Sequence, residues 1–171
     1  MNNVLVLLAL LFASQTLQAD EAESGAETDE AKVVRLAGHL ESYPLSDTDK
    51  SIRTWLLDWA TETQDITVIV CDILGTASEE EDFPYSAIYT TQMIFGNAAY
   101  QIRHPDKRGD LLATQLAAAR SSLKAYHSIL AAHPEARIPH FDELSRKDAS
   151  GNLESYLAPV VAKTCNDGGG A

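Results

Sequence analysis

Positive charge, sulfur and catalytic motifs are all scarce in this chain. Lys and Arg number 13 against 25 Asp and Glu, giving a formal net charge of −12. A chain so acidic repels phosphate backbones, so nucleic acid is not an expected partner. The nine glycines build no phosphate-cradling loop: their one cluster, Gly168 to Gly170, has no helix after it. Gly-X-Ser-X-Gly and His-Glu-X-X-His are both missing, so neither a serine hydrolase nor a zinc hydrolase is signalled. The five histidines, His39, His104, His127, His133 and His140, include no pair spaced to share a helix face as metal ligands. No unit of repeat-protein length recurs. The expectation is a non-enzymatic protein without metal or cofactor.

Long apolar runs are missing too. Val4–Ala13 is apolar for ten residues, too short to span a bilayer, and a polar stretch ending at Ala19 follows it. That layout predicts a signal peptide over 1–19, although no Lys or Arg precedes the apolar run and Leu17 is large for its place. No Cys follows the run, so a lipid anchor is not expected. Export to the periplasm or the extracellular space would place the only two cysteines, Cys71 and Cys165, in an oxidising compartment. One Cys71–Cys165 disulfide is therefore expected, closing a loop worth up to ~4–5 kcal/mol on the chain-entropy model. A redox pair would be expected closer in sequence.

What charge there is lies unevenly. Between Asp20 and Asp82 there are 17 acidic and 4 basic residues, whereas Phe83 to Ala171 holds 8 and 9. Residues 20–28 read as an acidic disordered lead and 166–171 as a flexible tail, leaving 29–165 as one helical domain. A second acidic run, Glu79, Glu80, Glu81 and Asp82, is the candidate surface for steering a basic protein partner.

The periodicity predicts an all-α, single-domain bundle of five to seven helices. The first covers 29–42, with Thr28 as cap and Val33, Leu36, Ala37 and Leu40 on one face. The second covers about 47–61 after a Ser46–Asp49 capping box, with Ile52, Trp55, Leu56 and Trp59 as its stripe. Segment 65–75, DITVIVCDILG, fits both periods. It is assigned as a helix because no second strand is available to pair with it. Further helices are expected over 82–103, 110–132, 139–144 and 153–163, the last kinked or split by Pro159. The clearest signal is the stripe Leu112, Leu116, Ala119, Leu123, Tyr126 and Leu130, spaced as a helix–helix seam. Gly96, Ala98 and Ala99 are small residues opposite it, so 93–112 reads as a helical hairpin. Arg108-Gly109-Asp110 then supplies its turn and cap and is not an adhesion motif.

Two function classes follow. One is an exported, non-enzymatic protein that binds a basic partner through an acidic surface, as an inhibitor, an immunity-type protein or an envelope adaptor. The other is a small-ligand binder or enzyme with an interhelical pocket, for which Trp55, Trp59, Asn97 and Tyr100 are the candidate lining, with Tyr89 and Phe95 nearby.

Overall fold

The computed structural model describes residues 26–75 and 84–165. The expected signal peptide, most of the acidic lead, the Glu79–Asp82 run and the tail lie outside them. Six α-helices are present: α1 (Asp29–Ser42), α2 (Asp49–Glu62), α3 (Ser86–Arg103), α4 (Leu111–Ala132), α5 (Pro139–Ala149) and α6 (Leu153–Thr164). No strand occurs among the described residues. The fold is an all-α bundle, and Cys71 is joined to Cys165. No helix among the described residues is long and apolar enough to cross a membrane.

The bundle is organised by the α3–α4 hairpin. A Cβ placed on Gly96 would lie 2.2 Å from Ser121 Cβ and 3.3 Å from the Ala117 carbonyl. The two backbones therefore approach as closely as they do only because position 96 carries no side chain. The contact is polar as well as tight. Fully buried Gln92 donates its amide to Ser121 Oγ at 2.8 Å and to the α1 carbonyl of Ala37 at 3.1 Å. Ser122 Oγ donates to the Tyr89 carbonyl at 2.7 Å, and Ser128 Oγ donates to that of Glu41 at 2.7 Å. Short hydroxyls and one amide thus take the place of bulky packing where α1, α3 and α4 meet.

The hairpin separates two apolar clusters. Val33, Leu36, Leu40, Leu56, Phe95 and Ala99 fill the side between α1, α2 and α3. Tyr89, Met93, Leu123, Phe141, Leu144 and Leu157 fill the side between α3, α4, α5 and α6. The expected α4 stripe buries Leu116, Ala119, Leu123 and Tyr126, while its end residues Leu112 and Leu130 are half-buried. Tyr89, Tyr126 and Phe141 meet edge-on, with centroids 5.1–6.1 Å apart. The Tyr126 hydroxyl donates to Asp142 at 2.8 Å and accepts from the Ile138 N–H at 3.1 Å. Tyr89 OH has no hydrogen-bond partner among the described residues. Burial, first among the causes, raises the pKa of both phenols above the usual tyrosine value.

Local signals explain most helix boundaries. Thr28 Oγ1 accepts from Ala31 N at 3.2 Å, and Asp110 Oδ1 accepts from Ala113 N at 3.0 Å. The second helix begins at Asp49, not 47, because the Asp49 carboxylate turns back to take the Ser46 N–H at 2.6 Å. Asp49 is buried, with His39 Nε2 at 3.7 Å and Arg53 Nη1 at 4.0 Å, so one acid ties the end of α1 to the start of α2. Three expectations need correction. The third helix starts at Ser86, after Tyr85 takes a left-handed φ of 63°. The fifth continues to Ala149, where Gly151 at φ 72° ends the turn. The sixth runs unbroken through Pro159, which lies on an exposed face.

Gly96→Ala is expected to cost ~1–3 kcal/mol through overpacking. Gly38→Ala, whose Cβ would meet nothing within 4 Å, should be neutral or stabilising. Equal urea midpoint shifts for the two variants would contradict the close approach. The folded state keeps both buried phenols protonated beyond their normal range. Their stabilisation is therefore complete below pH ~10 and is lost as pH rises above it. Ultraviolet titration should show two of the six tyrosines ionising only with unfolding; six phenols titrating together in the folded protein would refute this.

Candidate functional site

The segment assigned as a helix, 65–75, is not one. After α2, Thr63 enters extended geometry (φ −64°, ψ 140°) and the chain runs without helix or strand to Gly75, at φ 68°. The argument for a helix was that a lone strand leaves its backbone groups unpaired. Here side chains supply the pairing. The Asp65 carbonyl accepts from Arg108 Nη1 at 3.2 Å, that of Thr67 from Gln101 Nε2 at 2.9 Å, and that of Ile69 from Gln115 Nε2 at 2.6 Å. Alternate carbonyls turning the same way mark an extended chain, in which a residue's N–H and C=O share a side. Three long polar side chains on the hairpin thus stand in for a neighbouring strand.

Both ends of the segment are anchored. Ile66 is buried in the α1–α2–α3 cluster, with Val68 packed beside it. Cys71, Ile73 and Leu74 are buried in the other cluster. The disulfide then holds Cys71 to Cys165 at the end of α6, with Cα atoms 5.2 Å apart and a sequence separation of 94. An irregular segment fixed at both ends and bonded along one side is pre-organised, so it loses little freedom on binding.

The other side is open. The N–H and C=O groups of Ile66, Val68 and Val70 make no hydrogen bond among the described residues. Ile69 and Val70 are 42% and 44% exposed, two of only four large apolar residues so exposed among those described. Thr67 is exposed as well, and exposed Asp65 and Asp72 bracket the stretch. Such a row of free backbone groups beside apolar side chains is a template for another extended chain.

The residues expected to form a pocket do not converge. Trp55 lies under Lys32 Nζ, 3.7 Å from its ring centroid, beside a shallow depression with Lys50, Thr54 and Asp58. Trp59 is half-buried against the α1–α2–α3 core. Asn97 is buried, its Oδ1 accepting from Gln101 at 2.6 Å. Tyr100 faces a different opening, between α1, α3 and α4. Catalytic geometry is equally unsupported. Ser46, Asp49 and His39 cluster, but the carboxylate lies between the other two and takes the serine proton donor itself. A serine nucleophile needs the imidazole in that place. No group of three metal-ligating side chains occurs among the described residues. Sequence reasoning missed Gln101, Arg108 and Gln115; the available signal was three long polar donors spaced seven apart along the hairpin.

Comparison with protein-family models, with characterised proteins and with solved structures finds no match to this chain. Its functional reading therefore rests on the site alone.

Gln115→Leu leaves the Ile69 carbonyl without its donor and is expected to cost ~1–3 kcal/mol in urea unfolding. No loss of stability would show that the glutamine does not hold the segment.

Proposed function

We propose that this chain is an exported, non-enzymatic binding protein that takes an extended, basic segment of a partner protein onto the edge at Ile66–Val70. The observation that supports the reading is that edge: outward backbone groups without partners, beside exposed Ile69 and Val70. Its charge sets the kind of partner. Asp65 and Asp72 flank it, and the acidic run Glu79–Asp82 follows in sequence. A second copy of the chain is a poor occupant. Self-pairing would bring together two edges that both have acidic ends, and like charge disfavours that association. A heterologous strand with Lys or Arg at its ends replaces that repulsion with attraction and gains on-rate from the acidic field. The disulfide between the only two cysteines fits an oxidising compartment, which supports the export part of the reading.

The test is fluorescence anisotropy with a synthetic Val/Thr peptide flanked by lysines, beside the same peptide flanked by glutamates. The lysine-flanked peptide should bind, and more weakly as salt rises. The double change Asp65→Asn, Asp72→Asn should weaken it several-fold. Val70→Pro, which removes one outward donor, should abolish binding while the helical circular dichroism stays unchanged. Equal binding of both peptides would remove the electrostatic part, and full binding by Val70→Pro would remove strand addition.

A further inference from the structure

Three cations of the hairpin line a cleft of ≈ 170 Å³ between α1, α3 and α4. α3 contributes Tyr100 and Arg103, and α4 contributes Arg120 and Lys124. Both pairs lie on the helix faces that flank the Gly96–Ser121 contact, because 96, 100 and 103 share one face of α3, as 117, 120, 121 and 124 share one of α4. The floor is kept low by glycine: a Cβ on Gly38 would meet nothing within 4 Å, which is the open space itself. Beneath the floor, Gln92 holds Ser121 and Ala37 by its amide nitrogen and leaves its buried carbonyl oxygen without a hydrogen-bond partner among the described residues.

We infer that this cleft is a binding site for a compact oxyanion, a phosphate or a small dicarboxylate. Three observations carry the inference. The first is concentration of charge: three of the 13 basic residues of an acidic chain line one small cleft, against a single carboxylate, Glu41. The second is availability. Arg103 makes no ion pair among the described residues, Lys124 pairs with Glu41 at 2.9 Å while 64% exposed, and Arg120 pairs with Asp148 at 2.8 Å while 47% exposed. The Arg120–Asp148 pair is exposed on both sides and contributes little, so Arg120 can turn to a ligand at small cost, whereas the Glu41 partner of Lys124 is only 20% exposed. Glu41 also lines the cleft, one oxygen taken by Lys124 at 2.9 Å and the other by Ser121 Oγ at 2.7 Å. The third is size. Pockets for drug-sized ligands and cofactors run from about 300 Å³ upward, so this cleft suits only a ligand of few atoms. Guanidinium groups match phosphate and carboxylate oxygens in fork geometry, and the Tyr100 hydroxyl adds a neutral donor.

The test is a ¹⁵N NMR titration of the whole chain with inorganic phosphate and, separately, with succinate. Saturable shifts centred on Gly38, Gly96 and Ser121 are expected with at least one of them, and the tighter ligand names the anion class. Arg103→Gln, a surface change that leaves the core intact, should weaken binding about tenfold, the loss expected for one charge-assisted contact. Gly38→Leu should fill the cleft and abolish binding without lowering the melting temperature. Shifts that stay linear and scatter over surface cations, or that persist unchanged in Arg103→Gln, would overturn the inference, as would no shift with either anion at ~mM concentration.

Discussion

The contact of Gly96 with Ser121 is the constraint on which the rest of the molecule depends. It sets how closely α3 and α4 lie, and that spacing decides what else fits. A bulkier residue at 96 would push the helices apart, and Gln92 would no longer reach both Ser121 and the α1 backbone at Ala37. α1 is held by those hydroxyl and amide bonds on one side and by the packing of Val33, Leu36 and Leu40 on the other. The same close approach leaves a shallow floor beside Gly38 and brings the cations of two helices to one rim. Dense, small-residue packing thus fixes both the core and a surface feature.

The hairpin does a second task at its turn. Gln101, Arg108 and Gln115 reach out from α3, from the connector and from α4 to hold three alternate carbonyls of a segment that is neither helix nor strand. The energetic logic is one of asymmetry. The inward carbonyls are bonded, and leaving any of them unpaired would cost more than the bond itself contributes. The backbone groups at 66, 68 and 70 have no partner among the described residues, and at exposed Val70 water satisfies them until a better partner arrives. Exposed β-branched residues on such an edge invite aggregation, and charged flanks oppose it. Asp65 and Asp72 flank the edge in that way, and on the proposed function the same two carboxylates would favour a basic partner.

Much of the helical architecture was legible from periodicity. The α1 limits, the α4 seam and the Asp110 cap follow from short-range patterns that need no tertiary information, and the Cys71–Cys165 bridge from the chain's having two cysteines and no others. The small residues around Gly96 also pointed to a close helix pair. Segment 65–75 was not legible, for a physical reason. Its alternation of Ile66 and Val68 was visible, but the partner that makes an isolated extended chain tolerable is three side chains that lie between 34 and 46 residues away in sequence. Local patterns cannot register such a partner. The pocket expectation failed for a related reason. Trp55, Asn97 and Tyr100 each look prominent in sequence, yet helix rotation sends them to a depression, the interior and a cleft in turn. The cations of that cleft are not legible as a group in sequence, since only α1 brings the third wall.

The central claim is that the hairpin presents an extended segment bonded on one side and open on the other. Native-state amide hydrogen exchange measures this most directly. The account predicts that α3 and α4 amides such as Phe95 and Leu123 exchange only on global unfolding, while those of Ile66, Val68 and Val70 exchange quickly despite the disulfide beside them. Protection of the three edge amides equal to that of the helices, in the protein without a partner, would contradict it.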